Sequence, residues 1–461
     1  METLTHRPDL VISGGTLLTM VDGAAPLEKA TIRIGSGRII GIDTTPEGQT
    51  ADAEALDRID ATGCIVMPGL VNAHTHAAMT LFRGYADDLP LQQWLFERIF
   101  PAEAAFLSDD TVYWGALLGC LEMIASGTTC FADGYFFQDA TARAVRKAGL
   151  RAVIAQGVID FPAPGVPDPA DNIREACAFM KRWQGASDRI TPGIFCHSPL
   201  TCSAATLKAG AEAAERYGTP FQIHLSETRG EVDQILHQTA KRPVFYLNDL
   251  GVLNDRMTAA HAVHLDRDEM GLIKERGVRL VNVPESNMKL ASGVAPVISL
   301  LRLGIPMGLG TDGCCSNNNL DMFQEMDTAA KVSKVFSADP VALTARDVLP
   351  MATSLGAAVL GLEDRIGTVE AGKAADLIVI DLQKPHLRPV YDPYSALVYA
   401  ASGGDVRDTI VEGRILMRNR SFLTLDANEI MRKVSAIAQR ITAATAVLNQ
   451  TSAPLASTQE T

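Results

Sequence analysis

Residues 68–76 read Pro-Gly-Leu-Val-Asn-Ala-His-Thr-His, an apolar strand that ends in two histidines one residue apart. Side chains at i and i+2 of a strand leave on the same side. His74 and His76 therefore aim two imidazoles at one point, a geometry suited to a metal ion. The same grammar, an apolar strand closed by a residue able to do chemistry, recurs twice downstream. Ile223-His224-Leu225-Ser226-Glu227 sets an imidazole just after a strand and a carboxylate three residues on. Gly310-Thr311-Asp312-Gly313 sets an aspartate after Met307-Gly308-Leu309. Taken singly, a histidine bonded to backbone or an aspartate capping a helix explains each. Taken together, His74, His76, His224 and Asp312 supply three imidazoles and one carboxylate from three strand ends. Such a set leaves a position for water, as catalytic rather than structural sites do.

Around these strand ends the chain alternates. Strand candidates at 130–132, 152–155, 221–224, 280–283 and 307–310 are separated by helical stretches such as 139–148, 204–217 and 266–276. Repeated β-then-α units across residues 67–365 imply a parallel sheet, and a closed (β/α)8 TIM-type barrel is its most economical form. Residues 1–66 and 366–425 have a different texture. Runs such as Thr31-Ile32-Arg33-Ile34 before Gly35-Ser36-Gly37, and Asp408-Thr409-Ile410-Val411 before Glu412-Gly413, read as hairpins. Two strand-rich ends predict one small β-sandwich built from both termini. Residues 426–461 predict a helix over 427–448 and a polar tail from Thr451.

Composition bounds the partners. The chain has 461 residues, 47% hydrophobic and 21% charged, which suits a globular protein with a large core. Against 41 Lys+Arg stand 54 Asp+Glu, a net charge of −13, which argues against nucleic acid or an anionic membrane as the main partner. The uncharged apolar run 111–121 is too short to span a bilayer, and residues 1–9 contain no apolar signal core. A cytoplasmic location is the expectation. Eight cysteines without a CxxC pair read as reduced, buried thiols rather than a zinc-thiolate site. A homo-oligomer is an expectation on symmetry grounds alone.

The Pro-Gly-Leu-Val-Asn-Ala-His-Thr-His run, the His-Leu-Ser-Glu run, Ala-His-Ala-Val-His at 260–264 and Gly-Thr-Asp-Gly at 310–313, in this order, resemble the amidohydrolase superfamily. Within it the chain is similar to 5′-methylthioadenosine/S-adenosylhomocysteine deaminases, a group that also holds triazine chlorohydrolases. The resemblance spans residues 9–420. It implies one divalent metal held by His74, His76, His224 and Asp312, with zinc first and iron or manganese as alternatives. No lysine stands where two-metal relatives carry a bridging carbamate. The implied reaction is hydrolytic deamination of 5′-modified adenosines, a hydrolase reaction on the C–N bond of a cyclic amidine, giving inosines plus ammonia. A metal of this kind lowers the pKa of its water to about 7. Asp312 accepts a proton, and Glu227 protonates the ring nitrogen beside the attacked carbon and then the leaving amine. His261 steadies the tetrahedral adduct, while His264 reads as structural.

The resemblance also implies substrate contacts from Trp94, Glu103 and His197, besides Glu227 and Asp312. Glu103 would hold the ribose hydroxyls, because one carboxylate accepts two such bonds; without the resemblance it is an acid near a helix start. Three departures stand out. Members that take S-adenosylhomocysteine need cations for its carboxylate, and only Arg83, Arg151 and Arg174 lie near the expected loop. The segment 161–171 carries four prolines, and Cys314-Cys315 follows the metal aspartate. These departures favour 5′-methylthioadenosine or 5′-deoxyadenosine over the longer substrate. The alternative reading keeps the metal but changes the ring: guanine, a pterin or a triazine. A catalytically silent barrel is disfavoured, since all four ligand positions are filled.

Overall fold

The computed structural model describes residues 8–45 and 55–451. Eight strands form one parallel sheet in chain order: Leu70–Thr75, Thr128–Tyr135, Arg151–Val158, Ile190–Cys196, Phe221–Leu225, Met257–His261, Arg279–Asn282 and Met307–Leu309. Helices lie between successive strands, including Gln138–Ala148, Ala204–Tyr217 and Arg267–Arg276. The helix predicted from 266 starts one residue later, because Asp266 is its cap. The Asp266 carboxylate accepts the Glu269 N–H at 2.8 Å, and the Glu269 carboxylate accepts the Asp266 N–H at 3.0 Å.

The barrel closes where its last strand runs into its first. Asp312 N–H donates to the His74 carbonyl at 3.0 Å. Asn72 clamps the same seam, donating to the Thr311 hydroxyl at 2.7 Å and accepting the Thr311 N–H at 3.0 Å. Gly310 permits the approach: a Cβ there would fall 2.7 Å from both N and O of His74. His74 and Asp312 are thus backbone partners at the closure. Val71, Cys130, Ala132, Val153 and Val281 fill the barrel interior, and Ala357 and Val359 plug it.

The expected β-sandwich from both termini takes the form of one continuous nine-stranded mixed sheet. Leu377–Asp381 pairs antiparallel with Cys64–Pro68, so the two ends of the chain meet at that ladder. Leu10, Ile12, Ile34, Val66, Leu377 and Val379 give this sheet its own core. Arg151 opens a barrel strand and pairs, fully buried, with Asp376 at 2.8 Å, which ties barrel to sheet. Helix Ala427–Thr451 follows; the tail predicted beyond Thr451, like residues 1–7, lies outside the described residues. No described helix is long and apolar enough to cross a membrane.

Candidate active site

The ligand atoms of His74, His76, His224 and Asp312 all lie within 4.8 Å of one another, and all four residues are buried. His224 Nε2 is 3.2 Å from His74 Nε2. Asp312 Oδ1 is 3.2 Å from His76 Nε2 and 3.5 Å from His74 Nε2. The local backbone makes this convergence. A register irregularity between Asn72 and Thr75 bends the first strand at the histidines, and Asp312 takes a left-handed φ of 59° that turns it off its strand.

Second contacts fix which atoms face inward. His76 Nδ1 lies 2.5 Å from the Gly134 carbonyl and donates to it, which leaves Nε2 for the cluster. Asp312 Oδ2 accepts the hydroxyls of Ser286 at 2.7 Å and Ser316 at 2.8 Å, so Oδ1 alone is presented. Burial pushes the His74 imidazole down to about 4 and that of His224 well below its ordinary value. Burial opposes ionisation of Asp312, but hydrogen bonds from His74 and His76 outweigh it and hold the carboxyl well below its usual range. The cluster thus offers three imidazole nitrogens and one carboxylate oxygen, all within 4.8 Å of one another. The donor set therefore fits one divalent metal ion with room for water.

Glu227 stands beside this cluster, turned inward by Ser226 at φ 51°. Its Oε1 accepts the Ser292 hydroxyl at 3.2 Å, and its Oε2 lies 3.8 Å from His261 Nε2. Burial raises its pKa, the largest of several effects. His261 is oriented by Asn287, whose carbonyl oxygen is 2.9 Å from Nδ1. His264 meets the Ser292 carbonyl at 2.7 Å. It holds the very loop whose hydroxyl bonds Glu227, the structural part expected of it.

The cluster forms the floor of a pocket whose walls are Trp94, Leu91, Leu95, Phe100, Glu103 and His197, among others. Glu103 is 2% exposed and accepts the Tyr135 hydroxyl at 2.5 Å. Burial pushes its carboxyl up to about 7. His197 is held by Thr201 at 2.9 Å, its ring edge-on to His224. The proline-rich segment brings Phe161 onto Phe100, ring centroids 5.0 Å apart, and Phe100 in turn touches His197. Of the site residues named from sequence, all but His74 line this cavity, and His74 belongs to the cluster at its floor. The cationic candidates do not: Arg83 pairs with Glu122, Arg151 with Asp376, and Arg174 with Asp171 and Glu175. Each has spent its charge on a nearby carboxylate, and no Lys or Arg lines the pocket among the described residues. Cys314 and Cys315 are buried, and burial pushes the Cys314 thiol up to about 12, which makes it inert packing. Ser286, Ser292, Ser316, Asn287 and Tyr135 were not legible as site residues. Only Tyr135 carried a signal, its place at the end of an apolar strand.

Residues 65–416 match the model of the amidohydrolase family. The chain belongs to that family. A 5-methylthioadenosine/S-adenosylhomocysteine deaminase of Syntrophobacter fumaroxidans is 47% identical over 437 residues, covering 95% of this chain and 99% of the relative. A 5′-deoxyadenosine deaminase of Methanosarcina mazei is 45% identical over 438 residues, covering 94% and 99%. Among solved structures, an adenosine deaminase from Xanthomonas campestris with bound zinc superposes with a TM-score of 0.92 at 36% identity, covering 95% and 99%. As an amidohydrolase, the chain places its His3Asp cluster at the C-terminal mouth of the barrel, where that architecture carries its chemistry.

Proposed function

We infer that the protein is a metal-dependent aminohydrolase that converts 5′-modified adenosines to the corresponding inosines and ammonia. The observation that carries this reading is one pocket joining a metal-ligand cluster, a buried carboxylic acid at Glu227 and a second buried carboxylate at Glu103. Deaminase names on relatives that match nearly end to end support it.

His74, His76, His224 and Asp312 would hold the metal, with zinc favoured by the zinc-bound structural relative. Such an ion supplies Lewis acidity that makes water nucleophilic near neutral pH. The chain's own groups do the rest. Glu227, its pKa raised by burial, holds a proton to place on the ring nitrogen next to the attacked carbon. Asp312 takes the first proton that the attacking water loses. Glu227 carries the second from the new hydroxyl to the amine, which leaves as ammonia while the C–N bond breaks, and the proton on Asp312 then returns to Glu227. His261, fixed by Asn287, offers Nε2 to the incoming oxygen. Glu103 accepts the 2′- and 3′-hydroxyls, and Trp94 and His197 bound the nucleoside. Apolar Leu91, Leu95 and Phe100, with no cation beside them among the described residues, suit a short uncharged 5′-substituent. 5′-Methylthioadenosine and 5′-deoxyadenosine then outrank S-adenosylhomocysteine. A cytoplasmic setting belongs to the same proposal, supported by eight free cysteines.

Ammonia release from 5′-methylthioadenosine, 5′-deoxyadenosine, S-adenosylhomocysteine, adenosine, guanine and an aminotriazine tests the reading. The expected result is fastest turnover of the first two. Dominant turnover of guanine or the triazine would replace it with the alternative ring substrates.

A further inference from the structure

At the N-terminal end of the barrel strands, opposite the metal cluster, lies a second cavity of ≈ 390 Å³. Strand alternation puts Gln222 on the same face as His224, one step deeper toward that end. Gln222 is 3% exposed, yet neither its amide oxygen nor its amide nitrogen has a partner among the described residues. A buried amide left unbonded is costly, and its presence on a cavity wall marks a place where something else completes its bonds.

Three arginines line the same cavity, Arg256, Arg279 and Arg365. Arg279 begins the strand Arg279–Asn282, on the same face as the interior residue Val281. Its Nη1 would sit 3.0 Å from a Cβ on Gly361, so glycine there, at φ +68°, makes room for the guanidinium. Arg365 spends one Nη on the Asp188 carbonyl at 2.6 Å. No ion pair with Arg256 or Arg279 forms among the described residues, and Asp255 is the one carboxylate on the described lining. Three positive charges thus face one negative charge around an unsatisfied amide.

We propose that this cavity is a second binding site, for a small oxyanion of the phosphate or carboxylate type. Guanidinium forks match the paired oxygens of either group. Arg256 and Arg279 clamp the anion, and Gln222 Nε2 donates to it from below. The far wall is 359–362, the segment that plugs the barrel on its way to the nine-stranded sheet. A bound anion therefore bridges barrel strands to that plug and stabilises the fold without touching the catalytic pocket.

The test is calorimetric titration of the full-length, metal-loaded enzyme with inorganic phosphate and with succinate, at constant ionic strength set by chloride. Saturable binding of one of them, weakened at least tenfold in Arg256→Gln and Arg279→Gln with turnover unchanged, is the expected result. Whichever anion binds more tightly identifies the phosphate or carboxylate source. Arg256 is exposed, so its variant keeps the test alive even where Arg279→Gln folds poorly. No saturable binding of either anion, or equal binding by the wild type and Arg256→Gln, would overturn the proposal.

Discussion

Replacing Glu103 with glutamine isolates the sugar contact and carries a pH signature. Glu103 is buried, and the only described hydrogen bond to its carboxylate comes from the Tyr135 hydroxyl. Burial pushes its pKa up to about 7, against the lowering effect of that bond. Above this pH the carboxylate can accept both ribose hydroxyls. Each charge-assisted bond contributes about 1.5–3 kcal/mol, so losing the charge lowers kcat/KM by about 10²-fold or more. Below about pH 7 the wild-type carboxyl takes up a proton and loses that capacity. The wild-type kcat/KM for a ribose substrate should therefore fall on this group's account as pH drops through about 7, approaching tenfold per unit. Glu103→Gln should lose that limb of the profile. The assay is ammonia release from 5′-methylthioadenosine and from its 2′,3′-dideoxy analogue, in both proteins, across that pH range. The analogue offers no diol, so it should lose little on substitution. Equal losses for the two compounds would refute the diol contact and shift weight to a substrate without ribose.

The other predictions are simpler. Glu227→Gln should retain metal and bind substrate but lose turnover by about 10²-fold or more; near-normal rates at full metal content would remove Glu227 from proton transfer. Ser286→Ala strips one of two hydroxyls from Asp312 Oδ2 and should weaken metal binding by about 10- to 100-fold, measured by competition with a chelator. Arg151→Met leaves Asp376 buried without its partner and should cost about 3–5 kcal/mol of stability in denaturant unfolding, with kcat of the folded fraction unchanged.

The metal cluster was legible because strand ends announce themselves. Apolar runs stop, and His74, His76, His224 and Asp312 follow at once, so period-two alternation and barrel topology bring them together. The clamps around them were not legible. Ser286 and Asn287 sit on the short helix Pro284–Lys289, and Ser292 on the turn after it. A serine there looks like any other until the fold closes the loop over Glu227. Arg151 shows the converse failure. An arginine near the substrate loop in sequence is at the opposite end of its strand from the pocket, where Asp376, 225 residues away, neutralises it. Only the crossing of the two chain ends at Cys64–Pro68 and Leu377–Asp381 makes that pairing visible.

The most direct test of the account is a metal titration of chelator-stripped enzyme, with deamination of 5′-methylthioadenosine followed at each addition. The His74, His76, His224 and Asp312 cluster predicts no turnover without metal and a linear rise with zinc that breaks at one equivalent. Turnover in the stripped protein, or a break at two equivalents, would contradict it.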